Sequence, residues 1–143
     1  MAYFFKHEKK KEFYPEKYHY LLADKLKGVL TWKIKRLMIN IPPRHWKTEL
    51  ITKCFPVWAF WNNPQLEIIA TSYSATLAQW FSAEARDYYT SNTYKTVFPR
   101  ADPLHETQNT KDNWKLASGG WYYSTGSGWS ITWRWANIFI IDD

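Results

Sequence analysis

Apolar residues recur every three or four positions in two stretches of this chain, and this spacing predicts two amphipathic helices. The first predicted helix runs from Glu16 to Lys27 and ends near Gly28. The second covers about 75–91 and follows Ser74, whose hydroxyl is suited to capping its first turn. Each helix therefore has one apolar side for a core and one polar side for water.

Runs of consecutive apolar residues predict three buried strands. These strands are predicted at 36–41, 67–73 and 137–141. Trp114–Ala117 and Trp121–Thr125 flank Ser118-Gly119-Gly120 and predict a β-hairpin. The polar segment 92–113 contains a short predicted helix that ends at Phe98, and no predicted strand. Strands separated by helices indicate an α/β fold, with a parallel sheet flanked by helices and right-handed crossovers.

The composition is that of a globular protein, with two exceptions. A length of 143 residues with 45% hydrophobic content suits one domain with a buried core, and a net charge of +6 suits a polyanionic partner. The single cysteine, Cys54, excludes an internal disulfide, and no apolar run reaches the roughly 20 residues that span a bilayer. We therefore expect a soluble intracellular protein. The exceptions are a shortage of glycine, with 5 residues, and a surplus of tryptophan, with 10.

The stretch RLMINIPPRHWKTEL, residues 36–50, combines a predicted strand, a turn and a helix that begins at Lys47-Thr48. This order is the layout of a P-loop, in which backbone N–H groups and the helix N-terminus surround the phosphates. The lysine reaches the β- and γ-phosphates, and the Ser/Thr hydroxyl binds Mg²⁺. Pro42-Pro43 has no N–H to donate, so phosphate contacts are expected from Arg44 onward. A glycine is expected immediately before the lysine, and Trp46 stands there instead.

The third predicted strand ends in two acids, Asp142 and Asp143. In nucleotide hydrolysis one such carboxylate holds Mg²⁺ and the next orients or deprotonates the attacking water. Strands often end in solvated acids, so neither this pair nor Lys47-Thr48 is specific by itself. Ligands of parallel sheets bind at the carboxyl ends of the strands. We therefore expect the two motifs to meet there and to form one nucleotide site.

On these residues the chain resembles the ATPase part of the large terminase subunit of tailed bacteriophages, the motor that packages viral DNA. The resemblance runs over about 13–143 and implies a P-loop NTPase fold of the RecA-like (ASCE) class. It places a Walker A-like loop at 41–48 and a Walker B-like strand at 138–143. The matching stretches are FYPEKYHYLLADKL, RLMINIPPRHWKTEL, FWNNP, IIATSYSATLAQWFS, VFP and GSGWSITWRWANIFIIDD. The family patterns are similar to PPRHGKSE for the loop and to GxGGxxTGxGADxxIIDD for the tail.

The resemblance implies ATP and Mg²⁺ as cofactors and a role for each matching position. Lys47 would bind the β- and γ-phosphates, and Thr48 would bind Mg²⁺. Asp142 would hold the metal, directly or through water, and Asp143 would be the catalytic carboxylate. The residues expected to contact ATP are Arg44, His45, Trp46, Lys47, Thr48, Glu49, Tyr18 and His19.

Other positions have a functional and a structural interpretation. Arg44 is a candidate contact to the γ-phosphate, and Arg134 a candidate finger to the nucleotide of a neighbouring subunit; a surface arginine is the alternative for both. Tyr18-His19 matches the region where the family contacts adenine, with a core tyrosine and a surface histidine as the preferred alternative. His45 is expected to shape the loop. Ser72–Ser74 is a candidate nucleotide sensor or DNA contact.

The resemblance also implies partners and a place in the cell. The partners are double-stranded DNA, the portal protein and the small terminase subunit, in a homo-oligomeric ring in the host cytoplasm without a membrane. The chain corresponds to the N-terminal part of an ATPase domain, 1–143, without the nuclease domain, so we expect little or no ATP hydrolysis from it alone. The alternatives are another P-loop translocase or helicase-like ATPase, and a non-catalytic, aromatic-rich nucleic-acid binder whose aromatic side chains stack on bases.

Tryptophan stands where the family has glycine. The positions are Trp46, Trp61, Trp129, Trp133 and Trp135, with Trp32 as a further candidate. An indole before Lys47 would occupy the space in which backbone must approach phosphate, and left-handed backbone positions favour glycine. UGA is read as tryptophan in some genetic codes and as glycine in a few bacterial lineages. We therefore hypothesise that the tryptophans are a translation artefact; the alternative is a real, catalytically inactive, tryptophan-rich relative.

The gene sequence tests this hypothesis. We expect UGA at codons 46, 61, 129, 133 and 135, whereas the codons of Trp58 and Trp114 should be UGG. Sequencing the gene decides the matter, and UGG at codon 46 would refute the artefact.

Overall fold

The computed structural model describes residues 12–42, 44–127 and 135–142. The chain divides into two compact units, residues 1–45 and 46–143. The boundary falls inside the predicted phosphate loop, 41–48. None of the helices in the described ranges is both long enough and apolar enough to cross a membrane.

The first unit contains the first predicted helix, which is confirmed as α1 (Lys17–Leu30). At its start the backbone N–H of Glu16 donates to Nδ1 of His19 at 2.9 Å. The helix ends at Leu30, two residues after Gly28, which confirms the predicted end near Gly28. The glycine allows the side chain of Ile34 to approach, because a Cβ at position 28 would lie 2.7 Å from the Ile34 Cδ1 atom.

Trp32 occupies the position after the α1 cap, where helices commonly end in a left-handed residue. Its φ is +59°, and its N–H donates to the carbonyl of Val29 at 3.0 Å. This is one of the hydrogen bonds of a Schellman-type helix end, in which the left-handed residue is usually glycine. The side chain of Trp32 is 54% exposed. The stabilisation from burial of its indole is therefore small, whereas its left-handed backbone is unfavourable for a residue other than glycine.

The prediction of a strand at 36–41 is wrong. This segment has no regular secondary structure, and Met38 in its middle is 86% exposed. An apolar run forms a strand only when its backbone groups pair with a neighbouring strand. The pattern of side chains gives the preference of a segment for extended backbone, but it does not identify the partner.

The second unit begins with a helix at Lys47 that changes its winding. After Lys47 and Thr48 it enters a π-helical segment, Glu49–Cys54, and continues as α2 (Phe55–Asn62). The N–H of Phe55 donates to the carbonyl of Leu50, five residues earlier. Pro56 follows directly; in an α-helix its ring would clash with the carbonyl four residues before it, which belongs to Thr52. The wider π turn relieves this clash.

Five strands form one open mixed sheet in the order β2-β3-β4-β1-β5. The strands are β1 (Glu67–Ser72), β2 (Leu104–Asn109), β3 (Asn113–Leu116), β4 (Trp121–Gly126) and β5 (Ile138–Asp142). Both neighbours of β1 run parallel to it, whereas β3 is antiparallel to both of its neighbours, β2 and β4. The α/β class and the β-hairpin are confirmed, and the expectation of a purely parallel sheet is wrong. The hairpin is the reason, since a short turn joins only antiparallel strands.

Strand β2 has no counterpart in the sequence-based prediction. Its residues, LHETQN, are polar, and the last four are exposed. It lies at the edge of the sheet, where one side of the strand needs no hydrogen-bond partner and no apolar face. Hydrophobic periodicity therefore could not identify it.

The core of the second unit lies between the sheet and the helix α3 (Ala75–Thr90), which Ser74 caps as predicted. A short helix, α4 (Asn92–Val97), follows α3. Trp114 of β3 is fully buried and stacks on Tyr122 of β4, with 5.3 Å between ring centroids. Its indole N–H donates to the hydroxyl of Ser82 at 3.1 Å, and the ring of Phe60 packs at 5.4 Å. The centre of this core is therefore aromatic.

Replacement by glycine should have opposite effects on stability at Trp32, whose backbone is left-handed, and at Trp114, which is buried in the core. Trp32→Gly should raise the free energy of unfolding by about 0.5–1 kcal/mol, because relief of the left-handed strain exceeds the added entropy of the unfolded glycine. Trp114→Gly should lower it by at least about 3 kcal/mol, because it leaves a large cavity. Denaturant unfolding of both variants measures this. A loss of stability in Trp32→Gly similar to that in Trp114→Gly would contradict the assignment.

Candidate functional site

Three parallel strands end side by side at one edge of the sheet. Ser72, the last residue of β1, is in register with Gly126 of β4 on one side and with Asp142 of β5 on the other. Gly126 must lack a side chain, because a Cβ there would lie 2.6 Å from the backbone nitrogen of Ala75. The carboxyl ends of parallel strands are the usual place for ligands in such sheets. This edge is therefore the candidate site.

Lys47 and Asp142 meet at this edge, as the sequence predicts. The Lys47 Nζ atom lies 3.7 Å from the Asp142 Oδ1 atom. The Asp142 side chain is only 4% exposed, whereas that of Lys47 is 27% exposed and still reaches solvent. A buried carboxylate is stable only if it is paired. The lysine therefore supplies the compensating charge from the open side of the site.

Thr52 is the second partner of this carboxylate, and sequence reasoning missed it. Its hydroxyl donates to the Asp142 Oδ2 atom at 2.8 Å, and Thr52 is itself buried. Thr48, the predicted metal ligand, makes no side-chain hydrogen bond to any residue in the described part of the chain. A threonine one turn beyond the Lys-Thr motif is the signal that could have suggested Thr52.

Tyr122 connects the site to the aromatic core. Its hydroxyl donates to the backbone carbonyl of Thr52 at 3.1 Å. Burial, together with the charge of Asp142, raises the pKa of Tyr122 well above its usual value. The phenol therefore stays protonated and keeps its role as a donor.

The residue before the lysine adopts the backbone conformation expected of glycine. Trp46 has φ of +62°, and its carbonyl accepts the N–H of Leu50 at 2.9 Å in the first turn of the helix. Arg44 is also left-handed, with φ of +66°, and the glycine hypothesis does not explain it. Non-glycine residues rarely adopt this conformation. The left-handed backbone at Trp32 and Trp46 supports the interpretation that glycine belongs at these two positions.

Trp61 and Trp135, the other described tryptophans at which the family has glycine, do not have left-handed backbone. Trp61 lies in α2 and packs on Phe98 with ring centroids 4.9 Å apart. Trp135 is 87% exposed, and neither residue is left-handed. Trp129 and Trp133 lie outside the described residues. Among the described tryptophans in question, only Trp32 and Trp46 have the left-handed backbone that favours glycine.

In the first unit, the predicted adenine-contact residues form a small aromatic cluster. The rings of Tyr18 and His19 lie 3.8 Å apart, and Phe13 meets His19 edge-on at 4.8 Å. The Tyr18 hydroxyl donates to the backbone carbonyl of His45 at 3.5 Å, and the His45 ring lies 3.2 Å from the Pro42 carbonyl. His45 thus shapes the loop, as expected. The expectation of a core tyrosine and a surface histidine is wrong, because His19 is buried and Tyr18 is the more exposed of the two.

His19 carries a buried nitrogen that finds no hydrogen-bond partner among the described residues. Its Nδ1 accepts from Glu16, so the neutral ring carries its proton on Nε2, and this is the unpartnered atom. Burial lowers the pKa of His19 below its usual value of 6.5, against the opposing effect of Glu16. The ring is therefore neutral near pH 7.

Other predicted site residues are placed differently. Glu49, expected to contact ATP, instead accepts from Lys53 at 2.8 Å and from the Tyr88 hydroxyl. Lys53 also pairs with Glu84, and these carboxylates raise its pKa although burial acts in the opposite direction. This buried cluster ties the start of the helix to α3. Glu49 is therefore structural in the described unit.

Some predicted residues cannot be placed at the site. Arg134 and Asp143 lie outside the described residues. Arg44 is exposed and belongs to the first unit. Ser72 lies at the site edge, whereas Tyr73 is 82% exposed and Ser74 is occupied in capping α3. The structure thus brings together Lys47, Asp142 and Thr52.

Comparisons of the chain with models of known protein families, with curated proteins and with solved structures found no match.

Protonation of His19 should destabilise the first unit. Because its pKa is lowered on folding, the neutral ring contributes stability that is complete above about pH 6.5 and is lost as pH falls through the folded pKa. The free energy of unfolding, measured with denaturant, should fall between about pH 7.5 and about pH 5.5. The fall should be larger in the unmodified chain than in His19→Gln. Equal losses in the two proteins would show that His19 contributes no such effect.

Proposed function

We propose that this chain is the ATP-binding part of a P-loop motor, the ATPase of a large terminase that packages viral DNA. The observation that carries the proposal is the pairing of Lys47 with Asp142 at the carboxyl ends of parallel strands. The lysine follows a left-handed residue and opens a helix, and the acid is the buried last residue of β5, whose residues alternate between buried and exposed. These are the positions at which P-loop enzymes hold phosphate and metal.

The pair is suited to exchanging partners when nucleotide binds. In the described unit the Lys47 ammonium compensates the buried carboxylate, and its partial exposure leaves it within reach of an incoming phosphate. The N-terminus of the helix adds a partial positive charge at the same place. Lys47 can therefore neutralise phosphate charge, provided that another cation replaces it at Asp142.

Mg²⁺ is the cation that fits this position. Hard divalent cations prefer oxygen ligands, and Asp142 presents a carboxylate that already faces a positive charge. Asp142 would hold the ion, with Thr48 as a second candidate ligand, and the ion would neutralise charge on the phosphates. The role of Asp143 in orienting water and that of Tyr18-His19 in contacting adenine stay predictions.

The wider assignment follows from the resemblance. Double-stranded DNA, the portal protein, the small terminase subunit and a ring of identical subunits are proposed as partners on that ground. The net charge of +6 is compatible with DNA. Another P-loop translocase or helicase-like ATPase would use the same site; downstream sequence with an RNase H-like set of acids favours a terminase, and a second RecA-like domain favours the rival.

A non-catalytic nucleic-acid binder is the candidate from a different class. It is favoured by exposed aromatic side chains at the start of α3, where Tyr73 is 82% and Trp80 is 59% exposed. Aromatic side chains of this kind stack on single-stranded bases. The fully buried Trp114 and Tyr122 argue against it, because much of the aromatic content forms the core.

Replacement of Trp46 tests the proposal. Trp46→Gly should raise the affinity for Mg²⁺·ATP by at least about tenfold, because it removes the indole and lets backbone approach the phosphates. Lys47→Ala in that background should abolish the gain, and Lys95→Ala, on the exposed α4, should not. Isothermal titration calorimetry measures each affinity. Absence of ATP binding in every variant would refute the proposal, and nucleotide-independent binding of single-stranded DNA would then favour the aromatic binder.

A further inference from the structure

The Asp142 carboxylate is held on both of its oxygens, by different groups. Lys47 faces Oδ1 at 3.7 Å, and the Thr52 hydroxyl donates to Oδ2 at 2.8 Å. The lysine is partly exposed, whereas Thr52 is 2% exposed. The two partners therefore differ in kind. One can leave toward solvent, and the other is fixed inside the protein.

The unusual winding of the helix places Thr52 at the carboxylate. Hydrogen bonds of a π-helix join residues five apart, so that Lys47 and Thr52 are brought near the same group. Pro56 has no N–H, so it cannot donate to the Thr52 carbonyl as residue 56 of an α-helix would. The Tyr122 hydroxyl donates to this carbonyl instead, at 3.1 Å. The hydroxyl and the carbonyl of Thr52 thus both have hydrogen-bond partners on the sheet.

We propose that Thr52 is the positioning residue of the metal-holding carboxylate. The inference rests on the proposed function of the site. Because Thr52 occupies Oδ2, the oxygen left for a metal ion is Oδ1, the one that Lys47 vacates when it turns to phosphate. Hydrogen bonds from buried groups to metal-binding carboxylates fix their orientation and increase metal affinity. Thr52 therefore acts through Asp142 and does not contact the nucleotide.

Thr71 provides a matched control. It is a threonine of the neighbouring strand β1, it is 5% exposed, and its hydroxyl donates to the backbone carbonyl of Ile140 at 3.4 Å. It is thus a buried hydroxyl at the same edge of the sheet that does not bond to the carboxylate. If the Thr52 hydroxyl only stabilises the fold, its removal should have the same kind of effect as removal of the Thr71 hydroxyl.

The experiment uses the full chain carrying Trp46→Gly and measures ATP affinity in Mg²⁺ and in EDTA. Thr52→Val should reduce the enhancement of affinity by Mg²⁺ about tenfold or more, with the affinity in EDTA unchanged. Thr52→Ser, which keeps the hydroxyl, should retain the enhancement. Thr71→Val should retain it as well. Melting temperatures of all variants identify any that fail to fold.

The outcomes separate this inference from the proposed function. If the parent chain binds Mg²⁺·ATP and Thr52→Val keeps the full enhancement, Thr52 has no positioning role and the proposed function stands. An equal loss in Mg²⁺ and in EDTA, or in Thr52→Val and Thr71→Val, likewise overturns the role. If no variant binds ATP, the proposed function fails and the role of Thr52 fails with it.

Discussion

The buried carboxylate of Asp142 is the constraint on which the second unit depends. An ionised carboxylate removed from water costs several kcal/mol unless a cation and hydrogen-bond donors compensate it. The compensation comes from Lys47 and Thr52, which belong to the first helix of the unit, while Asp142 belongs to its last described strand. One group thus joins two distant parts of the chain, and it does so at the sheet edge where three parallel strands end.

The tryptophans of this chain fall into two physical classes. Trp114 is embedded in a core of Tyr122, Phe60 and Ser82, and its indole N–H is bonded there, so its size and polarity are both used. Trp32 and Trp46 are instead defined by their backbone, which is left-handed at a helix end and before the site lysine. A bulky side chain contributes nothing to either conformation, whereas glycine adopts both without strain.

The sequence by itself determined the features that depend on local pattern. The spacing of apolar residues identified α1 and α3, because a face that is buried must repeat with the period of its element. Runs of consecutive apolar residues identified β1 and β5, and the turn residues Ser118-Gly119-Gly120 identified the hairpin of β3 and β4. Lys47 and Asp142, which the sequence singled out, lie together at the candidate site, because the carboxyl ends of parallel strands share one edge of the sheet. The anomalous position of Trp46 was also visible in the sequence, as a misfit to the loop.

Only the tertiary structure decided what depends on partners distant in the chain. The run 36–41 is apolar but lies in no strand, and β2 is a strand without an apolar pattern, since pairing rather than side-chain character makes a strand. Thr52, which the sequence did not single out, donates to Asp142 from the π-helical segment before Pro56, a change of winding that hydrophobic periodicity does not predict. Local pattern determines which surfaces a segment offers; long-range contacts determine which of them meet.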